Sequence, residues 1–187
     1  MMQNLYDFTL QELTEIMQKM GYEKYRAKQI FDWLYKSRIN SMNEMKNIPE
    51  NIIEKLKTDY DVFLPEIIKE TKSEIDETKK YLLKLKDGNR IECVLIYNGE
   101  RITLCASTQA GCACGCRFCS TATLGFKRNL DTGEIVSQIM LAMKMTDNKL
   151  TNVVFMGMGE PLLNRDNLYK AILILSDKNG LNFSQTR

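Results

Sequence analysis

The hydrophobic period of this chain changes along its length, and that change limits the folds open to it. Over residues 1–60 apolar side chains recur at helical spacing. "TLQELTEIMQKMG" lines up Leu10, Leu13, Ile16, Met17 and Met20, with Thr9 and Glu12 placed as a capping box and Gly21 as the stop. "KYRAKQIFDWLYKSR" gives a second helix with Ile30, Phe31, Leu34 and Tyr35 apolar, and "PENIIEKLKTDY" a third that opens at Pro49. From "EIIKETKS" through "KKYLLKLKDGNRIECVLIY" to "ERITLCAS" the pattern alternates, which predicts strands with a hairpin turn at Asp87-Gly88. The charged run "KETKSEIDETKK" reads as an exposed hairpin rather than a linker. Further on, "DTGEIVSQIMLAMKM" predicts an amphipathic helix capped by Asp131 or Thr132. "TNVVFMGMGEP" predicts a short buried strand ending in glycines, and "RDNLYKAILILSDKNG" a helix ending at Gly180. The expected fold class is α/β: a helical region over 1–60, a β-hairpin and connecting strands over 61–104, then βα units with a parallel sheet over 105–187.

The stretch "GCACGCRFCST", residues 111–121, holds four of the six cysteines of the chain. No apolar run is long enough to span a bilayer and no signal-peptide pattern opens the sequence, so a cytoplasmic location without membrane is expected. There a cysteine cluster more often binds metal or does redox chemistry than forms structural disulfides. Histidine is absent, which excludes Cys2His2 zinc, Ser-His-Asp triads and Cys-His nucleophile pairs. The formal net charge of +2 argues neither for nor against nucleic acid.

Cys112, Cys116 and Cys119 have the spacing C-x3-C-x2-C, short enough for a tight loop to turn several sulfurs toward one point. Zinc would need a fourth ligand, and the nearest candidate, Cys114, is expected to point away. An iron–sulfur cluster on three thiolates would leave one iron open. The spacing alone leaves both readings standing.

Cys112, Cys116 and Cys119 with Phe118 before the last of them resemble the signature of radical S-adenosylmethionine (SAM) enzymes. The longer string "CASTQAGCACGCRFCSTATLGFKRNL", with "VVFMGMGEPLLN" and "YRAKQIFDWLY", resembles the RlmN-type family of dual-specificity 23S rRNA (adenine-C2)/tRNA methyltransferases. That resemblance implies a helical accessory domain followed by part of a TIM-type radical SAM barrel. It implies a [4Fe–4S] cluster on Cys112, Cys116 and Cys119, whose open iron chelates SAM and generates a 5′-deoxyadenosyl radical. Phe118, Gly159 and Glu160 would bind SAM, the last two receiving its methionyl ammonium. Glu92 would accept a proton, and Cys105 would form a disulfide with a methyl-carrying cysteine. The partners implied are 23S rRNA, tRNA and an electron donor such as flavodoxin or ferredoxin. Cys93 carries no implied role and reads as packing.

RNA contacts are also suggested by residue type: Arg26, Lys28, Lys36 and Arg38 lie among Tyr22, Tyr25, Trp33 and Tyr35, and "GFKRNL" adds two cations. A solvated helix face accounts for the first group equally well. The related C8-methylating branch and a non-enzymatic metal- or RNA-binding fragment are the alternative readings. Family members continue for about as long again, and no cysteine follows Cys119 here. This chain is therefore expected to correspond to an N-terminal half that cannot complete methyl transfer alone. Incubation with adenosine-containing RNA, SAM and reductant should yield no 2-methyladenosine by nucleoside mass spectrometry; its appearance would contradict that expectation.

Overall fold

The computed structural model describes residues 2–147 and 149–184. Helix α1 (Leu10–Lys19) starts at the expected box: the Thr9 hydroxyl accepts the Glu12 amide, and the Glu12 carboxylate accepts the Thr9 amide at 2.8 Å. It stops where Gly21 takes a φ of 84°, and the amides of Gly21 and Tyr22 bond back to Gln18 and Met17. Helix α2 (Tyr25–Asp32) runs on as a π turn over Trp33–Ser37 until Arg38 takes a left-handed conformation. Helix α3 (Glu50–Asp59) is capped by Pro49. Two short strands, β1 (Gln3–Asn4) and β2 (Tyr60–Asp61), pair in parallel and close this layer. Its apolar stripes meet at Leu13, Met17, Ile30, Phe31, Leu34, Tyr35 and Leu56, all fully buried.

The strands follow in order: β3 (Glu66–Lys72), β4 (Lys79–Lys84), β5 (Arg90–Asn98) and β6 (Arg101–Cys105). After them come β7 (Gln109–Gly111), β8 (Phe126–Asn129), helix α4 (Thr132–Met145), β9 (Asn152–Val154) and helix α5 (Arg165–Ser176). The main sheet has the order β3-β4-β5-β6-β9, antiparallel except for the parallel β6–β9 pair, and is not a closed barrel. The run "KETKSEIDETKK" is the exposed β3–β4 hairpin, as its composition implied.

Alternation gives this sheet two unlike faces. Ile91, Cys93 and Leu95 join Tyr81, Leu83 and Leu104 in one core with Ile135, Val136, Ile139 and Met140 of α4. The opposite face carries Glu92, Val94 and Ile96, with Cys105 directly across from Val94, and is only partly covered. The helical layer docks on the helices of the sheet. The Gly133 amide at the start of α4 donates to the Asp7 carboxylate at 2.6 Å, and Lys170 of α5 pairs with Glu12 at 2.7 Å. A Cβ at Gly133 would stand 2.8 Å from that carboxylate oxygen, so the close dock requires glycine.

Some elements differ from the sequence pattern. β9 is three residues long and half-buried rather than fully buried, because one face of its sheet lacks a covering layer. Helix α5 ends at Ser176, four residues before Gly180, since Asp177 turns extended and its carboxylate takes the Asn179 amide. The β7–β8 pair went unforeseen: three and four residues are too few to show a period. The turn at Asp87-Gly88 is a three-residue one, with the Gly88 amide bonded to the Leu85 carbonyl and Gly88 at φ 87°.

Arg128 on β8 ties this turn to α4. Its Nε donates to Asp87 at 2.7 Å, and its two terminal nitrogens reach the Glu134 carboxylate at 2.6 and 2.8 Å. The guanidinium bonded to Asp87 pulls that carboxyl down from 3.8 to about 2. A depressed folded value means that the contribution is complete above the unfolded value and is lost as pH falls through the folded one. Solvent screens this exposed carboxylate, so Asp87→Asn should cost about 0.5–1 kcal/mol at pH 7. That difference from wild type should shrink between about pH 4 and pH 2 in denaturant titrations, the window set by the shift. A pH-independent difference would show that the ion pair is not its source.

Candidate functional site

The carboxyl ends of the parallel strands β6 and β9 run on into two segments that lie side by side. The Ala106 amide donates to Val154 at 2.8 Å, and the Gly157 amide returns to Ala106 at 3.0 Å. Thr108 and Gln109 both donate to the Met158 carbonyl, at 2.9 and 3.1 Å. Glycine makes this approach possible: a Cβ at Gly157 would sit 2.8 Å from Ala106 backbone atoms. One at Gly159, already at φ 100°, would sit 2.5 Å from the Gln109 Cβ. The close backbone contact read from "GMGEP" is thus present. Glu160 turns its carboxylate onto the Leu162 amide at 3.1 Å and heads the short 3-10 turn Pro161–Asn164.

The cysteine loop projects from β7 and β8. Gly111, at φ 78°, lies so close to the Gly125 carbonyl that no side chain fits there. The Cys112 amide bonds to Gly125 at 3.3 Å, and the Cys119 amide to Cys116 at 3.1 Å. Cys112 and Cys119 are half-buried, Cys114 and Cys116 exposed, and Phe118 is 93% exposed. Amides of Thr121 and Ala122 point at the Cys119 sulfur and lower its pKa below the ordinary thiol value. Cys114 is exposed, between the half-buried Cys112 and the exposed Cys116. The foot of the cysteine loop is tied to the Glu160 segment through Asn129, which donates to the Leu163 carbonyl at 3.2 Å.

Among the described residues no three Cys, Asp or Glu converge closely enough to hold a metal ion, so the three spaced cysteines are on one loop but not gathered. The donor set nevertheless fits an iron–sulfur cluster: thiols alone, on an exposed loop, with Gly115 at φ 62° in open space where the chain must bend.

Glu92 and Cys105 share the open face of the sheet as diagonal neighbours on β5 and β6. The Glu92 carboxylate pairs with Lys80 at 3.0 Å. Its main chain is held from both sides, the amide on the Met158 sulfur and the carbonyl accepting from Ser107 Oγ. Burial raises the Cys105 thiol, opposed in part by the Met156 amide. Cys93 faces the core at 1% exposure, and burial pushes it up to about 12, which accords with packing. No disulfide is formed: all six cysteines are free thiols, and none of them is the methyl-carrying cysteine with which the resemblance would pair Cys105.

The candidate RNA residues divide. Tyr35 is fully buried, its ring 4.4 Å from Phe31, and Trp33 is half-buried and bonded to Asn47, so neither presents a stacking face. Tyr25 is 53% exposed under the Arg26 guanidinium, while Lys28 and Lys36 both pair with Asp32. Of the two cations in "GFKRNL", Arg128 is committed to Asp87 and Glu134, and Lys127 is exposed. The sequence reading missed Ser107, Gln109, Gln138 and Asn164, buried polar residues that fasten the two loops. For Ser107, Gln109 and Asn164 the one visible signal was position, beside the cysteine and glycine strings; Gln138, inside α4, gave none.

Comparison with known proteins places similarity along the same segments. Residues 3–62 match the family described as ribosomal RNA large subunit methyltransferase N-terminal domain, and residues 106–186 match the radical SAM superfamily. The chain is 45% identical, over 98% of its length, to a probable dual-specificity RNA methyltransferase RlmN of Clostridium perfringens, and covers 53% of that protein. It is 47% identical to the protein of the same description from Clostridium beijerinckii, of which it covers 52%. A crystal structure of a radical SAM methyltransferase from Sphaerobacter thermophilus superposes with a TM-score of 0.92 at 38% identity, over 99% of this chain and 55% of that one. The chain spans about half the length of the curated relatives it matches.

The thiols should differ in reactivity in the order that their environments set. In the metal-free protein at pH 7.5, as a trial condition, iodoacetamide should label Cys119 before Cys105, because the first is lowered and the second raised. Cys93 should stay unlabelled until the protein unfolds. Peptide mass spectrometry over a time course checks this; equal rates for Cys105 and Cys119 would contradict it.

Proposed function

We propose that the chain belongs to the RlmN family of radical SAM methyltransferases, of whose curated members it spans about half, and that it serves in methylating C2 of an adenosine in 23S rRNA and tRNA. The observation that carries this reading is the meeting of three things at the carboxyl end of β6: the foot of the cysteine loop, the glycine-lined Glu160 loop and the face bearing Glu92 and Cys105. Ligand sites of parallel αβ sheets lie at that end of the strands.

Cys112, Cys116 and Cys119 would hold the [4Fe–4S] cluster, and Gly159 with Glu160 the SAM ammonium. When bound, these two cofactors supply the electron, the radical and the methyl group. The rest falls to the side chains. The Glu160 carboxylate offers charge to an ammonium, and the open φ of Gly159 brings its backbone within reach of the same group. Phe118, exposed beside Cys119, offers SAM an apolar contact. Glu92, its main chain held by Ser107 and its carboxylate paired with Lys80, would take a proton from the adenine ring. Cys105 keeps its proton at neutral pH because burial raises it, and presents a thiol on the same face. An adenosine must leave its stack to reach this face, so loops or splayed bases are the expected targets. Arg26 and Lys127 offer cations to phosphates. A small electron-transfer protein of the flavodoxin or ferredoxin type would supply reducing equivalents. No helix of the described residues is long and apolar enough to cross a membrane, and a cytoplasmic setting fits these partners.

Anaerobic reconstitution with iron and sulfide should give a reduced protein with a cubane EPR signal that SAM perturbs. Cys116→Ala should lose it. Stoichiometric zinc, or a cluster indifferent to SAM, would overturn the reading.

A further inference from the structure

The proposed ammonium site and the cysteine loop belong to different stretches of chain, and the structure shows what holds them in register. Gln109, at 1% exposure, stands between them. Its carbonyl oxygen accepts the Glu160 amide at 2.9 Å, a bond across 51 residues of sequence. Its amide nitrogen donates to Asn129 Oδ1 at 2.7 Å, on β8 at the foot of the cysteine loop. Asn129 in turn donates to the Leu163 carbonyl at 3.2 Å, back on the segment that starts at Glu160.

Both ends of the Gln109 amide are engaged, so its orientation is set: reversing it would bring donor to donor at Glu160 and acceptor to acceptor at Asn129. Its stem lies against Gly159, where a Cβ would collide with it at 2.5 Å. Asn164 adds a second stitch, donating to Thr108 and Leu130 at 2.8 Å each. Gln109 itself is one residue from β7 Ala110 and two from Gly111, where the cysteine loop departs. A side chain placed this way transmits the position of one loop to the other.

We propose that Gln109 is a positioning residue for SAM: it sets the Gly159–Glu160 backbone at fixed reach from the cysteine loop without touching SAM itself. The proposal rests on the assignment of Gly159 and Glu160 to the methionyl ammonium.

The test titrates SAM into the anaerobically reconstituted chain by calorimetry, with iron and sulfide counted on each sample. Gln109→Met keeps much of the volume against Gly159 and removes both amide bonds; Gln109→Glu keeps the acceptor for the Glu160 amide. Gln109→Met should weaken SAM binding about tenfold or more at unchanged iron content, the scale of one to two net hydrogen bonds. Gln109→Glu should fall between it and wild type. Affinity within about twofold of wild type in Gln109→Met would overturn the proposal, being less than one net hydrogen bond. So would iron loss in step with SAM loss, which would reduce Gln109 to holding the fold, and so would a Gln109→Glu protein no better than Gln109→Met. A wild-type cluster that ignores SAM would instead defeat the functional reading beneath it.

Discussion

Ser107 is the joint on which the rest of this structure depends. It is fully buried, and every polar atom it has is used. Its hydroxyl donates to the Glu92 carbonyl at 2.5 Å and accepts the Met158 amide at 2.8 Å. Its backbone amide and carbonyl pair with the two ends of the Gln138 amide, at 2.9 and 3.0 Å. One small residue thereby joins β5, the chain beyond β6, helix α4 and the glycine loop after β9. A buried polar group left without a partner costs about 1–3 kcal/mol. A slip of any of these four elements would strand several such groups at once, so the knot admits one register.

Around that knot the molecule separates rigid from adaptable parts. The helical layer is sealed to α4 and α5 by buried apolar side chains and by Asp7 at the start of α4. That face of the sheet is buried. The other face is kept open, with Glu92 and Cys105 on it, and the cysteine loop stands in solvent beyond its edge. Arg128 and the amides of Gln109, Asn129 and Asn164 fasten only the feet of that loop. At its middle Gly115 takes a φ of 62° with nothing within 4 Å of where a Cβ would stand.

Much of this was legible in residue patterns. The capping box at Thr9 and Glu12, the stop at Gly21 and the change from helical to alternating period stand where the sequence puts them, because each rests on interactions within a few residues. Where the pattern misled, the deciding contact came from far along the chain. Tyr35 reads as a stacking aromatic on a basic helix, yet it is buried beside Tyr6 and Phe31 because the N-terminal turn folds over it. Arg128 reads as a cation for phosphate, yet two carboxylates from other elements claim it.

The sequence by itself determined the elements, the cysteine spacing and the glycines at which the backbone must pass closely, since dihedral preference and hydrophobic period are local properties. Only the tertiary structure decided that Glu92 and Cys105 share a face, that Cys93 does not, and that Gln109 bridges the two loops. Facing depends on strand register, and register is fixed by burial and hydrogen bonds between residues dozens of positions apart, which no local pattern records.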